Sequence, residues 1–269
     1  YQEAPNYPKP EIRQQWLRAA TSIATYLAGQ QKPNGDLPDI VDDEDCEVNK
    51  KAHRITARAV VCGLWARLAD ILKQQVWKDR AECLAQAVAP EINRYEYYNQ
   101  MLDGIIAPER EFIDGEAAYY VLEGLVPLYE LTQNGKILSL CQKAAAFALS
   151  WTYFYDLPKA HNGVARGGQC CRMSDLPLLY PIGPAKAMQP LLSLAQATGD
   201  LFYFEMAREA AAFLSQWQLQ APEAPFHGGM IHALGQFCGK HWGPDLAGQI
   251  DSGMATGNSL AALELWMSQ

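Results

Sequence analysis

The sequence repeats itself at an offset of 66 residues, and this internal repeat constrains the fold more than any other feature. The matched pairs are Thr132 with Thr198, Ala144–Phe147 with Ala210–Phe213, and Trp151 with Trp217. Each copy contains an apolar helix, a tight turn and a second, amphipathic helix. A helical hairpin of this kind cannot bury its apolar face alone, so it must stack on its neighbours.

The spacing of apolar residues along the chain predicts eight helices in four hairpins. Their predicted bounds are Pro10–Gly29, Ala52–Gln74, Trp77–Ile92, Gly115–Leu131, Lys136–Tyr155, Pro184–Ala197, a seventh from Asp200 to about Gln218, and Ser252–Met267. Because the repeat extends over most of the 269 residues, we predict one all-α domain over residues 1–269.

The connections between these helices alternate in length. Those after the second, fourth and sixth helices are short, whereas those after the first, third, fifth and seventh have about 20 to 30 residues. Stacked hairpins then have all short turns on one rim and all long loops on the other. Long loops in a compact domain usually carry function, so we expect a ligand site on the long-loop rim, near the starts of the even-numbered helices.

Charge and composition exclude several classes of protein. A net charge of −8 without a Lys/Arg cluster argues against nucleic-acid binding. No apolar run is long enough to cross a bilayer, and the first residues do not resemble a signal peptide. The seven cysteines are odd in number and several lie in apolar helical segments, which favours a reducing, cytoplasmic compartment.

Two local phrases accompany the hairpin pattern. Gln31–Leu37 resembles the Q-x-x-x-G-x-W phrase that closes outer helices in (α/α) toroids, although Leu37 replaces the tryptophan. Leu128–Lys136 is similar to the turn between inner and outer helices in carbohydrate-active toroids. The chain therefore resembles the (α/α) toroid, or six-hairpin glycosidase-like, superfamily. Members have six hairpins, or five in some. Four predicted hairpins therefore imply either that irregular segments contain further helices or that the toroid is open or truncated.

Carboxylates at the start of the even-numbered helices are the candidate catalytic groups. Asp114 and Glu116 open the fourth helix, and Asp251 has the equivalent position before the eighth. Acidic residues in a first helical turn also cap the helix, which is the alternative explanation. Glycoside hydrolysis requires two carboxylates, and the resemblance implies that Asp114 or Glu116 acts as a general acid or base with Asp251 as the second group.

The two longest loops and their edges contain candidate substrate ligands. These are His161, Arg166, Arg172, Tyr180 and His232. Arginine forks suit carboxylates and sugar hydroxyls, and His and Tyr transfer protons, so an acidic sugar is one candidate substrate. Alternatively, Arg172 pairs with Asp175 inside its own loop.

We predict neither a metal site nor a cofactor site. The acidic run from Asp39 to Glu47 is either a solvated loop or a cation site, and Asp42-Asp43 with Glu47 only partly matches the aspartate-rich phrase of terpene cyclases. Cys238-x-x-His241 has zinc-compatible spacing, but no paired C-x-x-C accompanies it. Trp151 and Trp217 are either sugar-stacking platforms or core residues.

The sequence thus predicts a carbohydrate-active enzyme, either a glycoside hydrolase or a lyase or epimerase, acting on an oligosaccharide or uronate. The expected partner is a small-molecule or oligosaccharide substrate, with neither nucleic acid nor membrane. Two alternatives stay open: a terpene cyclase or prenyltransferase-like enzyme, and a non-catalytic helical-repeat protein that binds a partner.

Overall fold

The computed structural model describes residues 9–38, 55–97, 113, 115–155, 166–170, 178–218, 228–230, 234–235 and 255–268. Within these ranges the chain forms eight helices and three short strands. The helices are α1 (Pro10–Gly29), α2 (Ile55–Leu72), α3 (Gln75–Arg94), α4 (Gly115–Thr132), α5 (Gly135–Ser150), α6 (Ile182–Thr198), α7 (Leu201–Trp217) and α8 (Ala255–Met267). The prediction of a mostly helical chain of hairpins is confirmed.

Most helix bounds agree with the prediction to within about three residues. The largest difference is in α5, which ends at Ser150 rather than at Tyr155. The chain leaves the helix there because Thr152 pairs with Gln169 in an antiparallel bridge. The Tyr153 amide also donates to the carbonyl of Gly168, at 2.9 Å.

The three short connections are two-residue turns of one type. They are Lys73-Gln74, Gln133-Asn134 and Gly199-Asp200. The first residue of each has a positive φ, between 53° and 69°, and the second is extended. This left-handed residue ends one helix, and the extended residue starts the next antiparallel to it.

The 66-residue repeat extends to individual hydrogen bonds. The side chains of Asn134 and Asp200 each accept from the amide two residues later, at 2.9 Å in both copies. Before each turn, Thr132 and Thr198 donate to the carbonyl four residues earlier, at 2.7 Å. The two copies therefore fold into the same hairpin because they supply the same caps.

The helices form an inner row and an outer row. In the inner row α2, α4, α6 and α8 each pack against the next, while α1, α3, α5 and α7 lie behind them. Helices α2 and α4 approach each other closely, since a Cβ built on Gly63 would lie 2.9 Å from Cα of Gly124. Only glycine permits backbones to meet at this distance.

The phrase from Gln31 to Leu37 closes α1 as its resemblance implied. Gln31 donates from Nε2 to the carbonyl of Gly35, at 2.8 Å, and accepts from Arg80 of α3, also at 2.8 Å. Gly35 has φ +85°, and a Cβ there would press on Cys83. Leu37 is buried at the position where the phrase has tryptophan.

A buried arginine joins three segments at the long-loop rim. Arg58, near the start of α2, is 2% exposed, and its two terminal nitrogens bind the two carboxylate oxygens of Glu91 on α3. It also lies 3.3 Å from Asp36, in the segment after α1. Because the planar guanidinium fits a carboxylate bidentately, this arrangement fixes both the end of α3 and the segment after α1.

A small antiparallel sheet lies in the long connections. It has the order β1 (Gln169–Cys170), β2 (Leu178–Tyr180) and β3 (Leu234–Gly235). The helical prediction did not include these strands. Among the described helices, none has the length and hydropathy of a membrane span.

Candidate functional site

On each of the inner helices α2, α4 and α6, a stripe of residues is not buried. We call the stripes of α2, α4 and α6 together the inner wall, since they face away from the outer row. The residues are Ala57, Val60, Leu64, Arg67 and Ile71 on α2, Glu116, Tyr120, Glu123, Pro127 and Glu130 on α4, and Lys186, Gln189, Ser193 and Gln196 on α6. Their spacing of three and four residues places each set on one helical face.

On α4 this stripe has glutamates at seven-residue intervals: Glu116, Glu123 and Glu130. A seven-residue step is two helical turns, or about 10 Å along the axis. Glu116 is therefore at the start of α4, on the long-loop rim, and Glu130 is close to the short turn. This spacing was visible in the sequence, but among these residues only Glu116 was predicted to be part of a site.

Ion pairing joins the middle of this stripe to the next inner helix. Lys186 of α6 binds Glu123, with 2.7 Å between Nζ and Oε2. The same ammonium lies 4.8 Å from the ring centroid of Tyr120, a cation–π distance. Lys186 is only 12% exposed and Glu123 is 36% exposed. The Lys186 ammonium, the Glu123 carboxylate and the Tyr120 ring thus meet on the inner wall, one to two helical turns from the long-loop rim.

Further from the rim, Ser193 donates to Glu130 at 2.6 Å. The two contacts between α4 and α6 have the same sequence separation, 63 residues, so the two helices run parallel. Parallel inner helices start on the same rim. The predicted grouping of inner-helix starts is therefore confirmed for α4 and α6.

Three of the eight predicted site residues are described by the structure: Glu116, Arg166 and Tyr180. The others, Asp114, Asp251, His161, Arg172 and His232, lie outside the described residues. Glu116 is partly exposed in the first turn of α4. Tyr180 ends β2 and is buried, at 9% exposure. The catalytic and binding roles stay predictions.

Arg166 makes contacts with the outer row. Its guanidinium binds Glu209 of α7, with 2.8 Å from Nε to Oε2 and 2.9 Å from Nη2 to Oε1. Next to it, Gly167 has φ +86°, and a Cβ there would overlap the carbonyl of Glu209. The segment 166–170 is thus held on α7.

The two repeated tryptophans pack at the ends of outer helices. Trp151 lies 6.1 Å from the ring of Phe147, and Trp217 lies 6.3 Å from Phe213. The ring of Trp151 also covers Gly115, where an added Cβ would be 2.6 Å away. Of the two sequence alternatives, these contacts favour a packing role for both rings, and that of Trp151 fixes the start of α4 beside Glu116.

Burial removes two cysteines from any nucleophilic role. Cys62 and Cys141 are buried, and desolvation raises the pKa of the Cys62 thiol from 9.0 to about 12 and raises that of Cys141 as well. The thiolate is the nucleophilic form, so both side chains act as small apolar groups. Burial likewise raises the pKa of the Tyr97 hydroxyl. The ring of Tyr97 stacks on that of Phe147, with 4.3 Å between the ring centroids.

Within the part of the chain that the structure describes, no group of three or more His, Cys, Asp or Glu is placed to hold a metal ion. The zinc hypothesis, on Cys238 and His241, and the aspartate-rich hypothesis, on Asp42 and Asp43, concern residues outside that part. Both stay untested.

No protein-family model matches the chain, and no curated protein matches its sequence. Solved structures do match. A D-mannose isomerase superposes with a TM-score of 0.63 at 15% identity, over 92% of this chain and 66% of its own. An inactive variant of an α-1,6-mannanase of Salegentibacter sp. HEL1_6, in complex with α-1,6-mannotriose, gives 0.66 at 13% identity, over 94% and 66%.

A third match is an unsaturated glucuronyl hydrolase specific for heparin, with a TM-score of 0.59 at 14% identity, over 94% of this chain and 68% of its own. These likenesses show that the chain has an all-α toroid fold. The chain spans about two thirds of the length of the isomerase and the mannanase.

Proposed function

We propose that this chain is a carbohydrate-active enzyme that uses carboxylate general acid/base chemistry, with glycoside hydrolysis as the leading reaction. The observation that carries this proposal is the stripe of α4, on which Glu116, Tyr120 and Glu123 follow one another from the rim along the inner wall. By their names, the solved structures described above are of sugar-active enzymes, which supports the same substrate class for this chain.

We assign the proposed residue roles from the position of each residue in the chain. Asp114 and Glu116, at the start of α4, are the proposed acid/base groups, and Asp251 is the proposed second carboxylate. His161, Arg172 and His232, with Tyr180 and Arg166, are the proposed substrate ligands. A general acid/base typically contributes a factor of about 100 to 10,000 in rate, so its loss is easily measured.

Lyase and epimerase or isomerase chemistry are alternatives on the same site. All three reactions need a proton donor or acceptor at the sugar, but they give different products. Hydrolysis releases new reducing ends, elimination creates an absorbing double bond, and isomerisation changes the sugar without cleavage.

The test is a panel of neutral and uronic oligosaccharides and free sugars, with reducing-end, absorbance and chromatographic readouts. Wild type would be compared with Asp114→Asn and Glu116→Gln, and with Glu205→Gln as the matched control. Glu205 pairs with Arg208 on the exposed side of α7, so its change removes a carboxylate away from the inner wall. We expect loss of turnover in at least one of the first two variants and none in the control.

Circular dichroism would verify that each variant is folded. A panel without any turnover, or full activity in both Asp114→Asn and Glu116→Gln, would contradict the proposal. Release of pyrophosphate from a prenyl diphosphate would instead support the terpene cyclase or prenyltransferase alternative.

A further inference from the structure

We infer that this chain forms a homodimer in which α1 packs antiparallel to α1 of a second copy. The contact surface is an exposed apolar stripe along the length of α1, which we call the α1 seam. Its residues are Ile12, Trp16, Ala19, Ile23 and Tyr26. This inference is independent of the proposed function.

The spacing of the α1 seam is that of a helix–helix contact. Its members follow one another at intervals of four, three, four and three residues, so they fall within about 80° of arc around the helix. Alternating steps of three and four residues are the pattern with which one helix packs on another. The four large side chains of the seam are between 37% and 56% exposed. A surface of this kind fits a second helix.

Other outer helices of the same chain bury such a stripe against a helix. Trp77, Ala81, Leu84 and Val88 of α3 repeat the spacing of four, three and four residues, and all four are buried. Helices α3, α5 and α7 each pack mainly on the inner helix that precedes them. Among the described residues, α1 has no preceding inner helix. The stripe on α1 therefore has the character of a buried contact but is exposed in the single chain.

The order of side-chain sizes in the α1 seam matches a second copy. The small Ala19 lies at the centre, with two large apolar side chains on either side of it. When two copies pack antiparallel with Ala19 at the crossing point, Trp16 lies opposite the partner's Ile23, and Ile12 lies opposite the partner's Tyr26. The small central residue permits close approach, and the same contacts occur twice, as a two-fold symmetric interface requires.

Charge favours the antiparallel arrangement. The charged residues of α1 lie in its first half, at Glu11, Arg13 and Arg18, and Lys9 precedes the helix. Residues 19–29 include no charged side chain, and the last turn lacks a basic residue to offset the partial negative charge of the helix end. In an antiparallel pair, the net positive first half of each helix lies beside that negative end of the other. A parallel pair would instead bring like charges side by side.

The size of the α1 seam determines the expected strength of the dimer. Trp16 and Tyr26 are each more than half exposed, and with the two isoleucines they leave on the order of 400 Å² of apolar surface on each copy. With flanking side chains, two copies would bury about 1,000 Å² in total, which is the lower limit of a specific interface. We therefore expect a dissociation constant in the micromolar range.

The first experiment is sedimentation equilibrium of wild type, Trp16→Glu and Ile23→Glu over micromolar concentrations. Leu201→Glu is the matched control, since Leu201 is an exposed apolar residue of the outer helix α7. All three positions are more than half exposed, so the substitutions should leave the fold intact, which circular dichroism would verify. We expect a monomer–dimer equilibrium in wild type and control, and a dissociation constant at least tenfold higher in the two seam variants.

The second experiment tests the orientation by mild oxidation of an equal mixture of Ile12→Cys and Tyr26→Cys. An antiparallel pair brings the two introduced thiols together, and peptide mass spectrometry would locate the disulfide between them. The control mixture contains Gln14→Cys and Tyr26→Cys. Because Gln14 lies on the opposite side of α1 from the seam, this mixture should not form the corresponding disulfide.

A wild type that stays monomeric at every concentration would overturn the inference, and so would seam variants that dimerise as tightly as wild type. A disulfide in Ile12→Cys alone, without one in the mixture, would overturn the antiparallel arrangement. Since α1 belongs to the outer row, we expect the seam variants to lose the dimer and to keep any turnover of sugars. The dimer and the proposed function can therefore fail separately.

Discussion

The backbone of Gly124 in α4 lies directly against the carbonyl group of Ala59 in α2. A Cβ added to Gly124 would overlap that carbonyl, so no side chain larger than hydrogen fits unless the two helices separate. Since α2 and α4 are adjacent members of the inner row, this contact sets the distance between two parts of the inner wall.

We expect Gly124→Ala to lower the free energy of unfolding by about 3 kcal/mol, because an added methyl group at a tight contact forces the backbone to shift. The measurement is urea unfolding followed by circular dichroism. Gly135 is the matched control, since it starts α5 and a Cβ there meets nothing within 4 Å. Gly135→Ala should change the free energy by less than about 0.5 kcal/mol, and equal losses in both variants would contradict the packing argument.

Removal of Arg58 should be among the most damaging single changes at the long-loop rim. Arg58→Ala leaves the carboxylate of Glu91, only 18% exposed, without its bidentate partner, and we expect a loss of about 3–5 kcal/mol. The double variant Arg58→Met/Glu91→Leu should recover most of this loss, because it removes both buried charges. Lys73→Ala, which breaks an exposed pair with Asp70, should cost less than about 1 kcal/mol. The readout is again urea unfolding.

The raised pKa of Cys62 predicts a loss of stability at alkaline pH. A thiol whose pKa rises on folding from 9.0 to about 12 holds its proton more tightly in the folded chain. Stability from this group is complete below pH 9 and is lost as the pH rises toward 12. The slope of unfolding free energy against pH between 9 and 11 should therefore be smaller in Cys62→Ala than in wild type. An identical slope in the two proteins would contradict this prediction.

Reactivity offers an independent check on the same thiols. At pH 8, iodoacetamide should modify the exposed Cys83 of the folded protein and leave Cys62 and Cys141 unmodified until urea unfolds the chain. Peptide mass spectrometry would locate the modified positions.

The repeated caps should have equal energetic effects. Asn134→Ala and Asp200→Ala each remove a side-chain acceptor from the first turn of a helix, at the same distance and in the same turn type. Each should cost about 1 kcal/mol in thermal or urea unfolding. Asn134→Asp keeps the acceptor and should be nearly neutral. A large difference between the two alanine variants would show that the two hairpins are not energetically equivalent.

Much of the fold could be predicted from the sequence because it is determined locally. The features that determine it act within a few residues of one another, so they can be recognised in the sequence. They are the helical periodicity, Thr132 and Thr198 before their turns, and the caps at Asn134 and Asp200. The 66-residue repeat then showed that the hairpins stack. The early end of α5 was not predictable in this way, since it depends on Thr152 pairing with Gln169, in another segment.

The candidate site was less predictable because it depends on which side chains meet between helices. Glu123 and Lys186 are 63 residues apart, and neither has a local feature that marks it as more than a solvated charge. Arg58 is similar: its partners are 22 and 33 residues away. An arginine among the apolar residues of α2 was the available signal. Arg166 was predicted to bind substrate from its residue type. The structure shows it paired with Glu209 on the outer row, and its role toward substrate stays a prediction.

The three two-residue turns join α2 to α3, α4 to α5 and α6 to α7 without any contribution from the loops at the opposite rim. A change in length or composition of a long loop therefore leaves the pairing of helices within each hairpin untouched. In such a molecule, new specificity can arise by insertion or exchange of loops while the helical frame persists. The short turns hold the helical frame together, and the long loops are the part whose sequence and length can change during evolution or protein engineering.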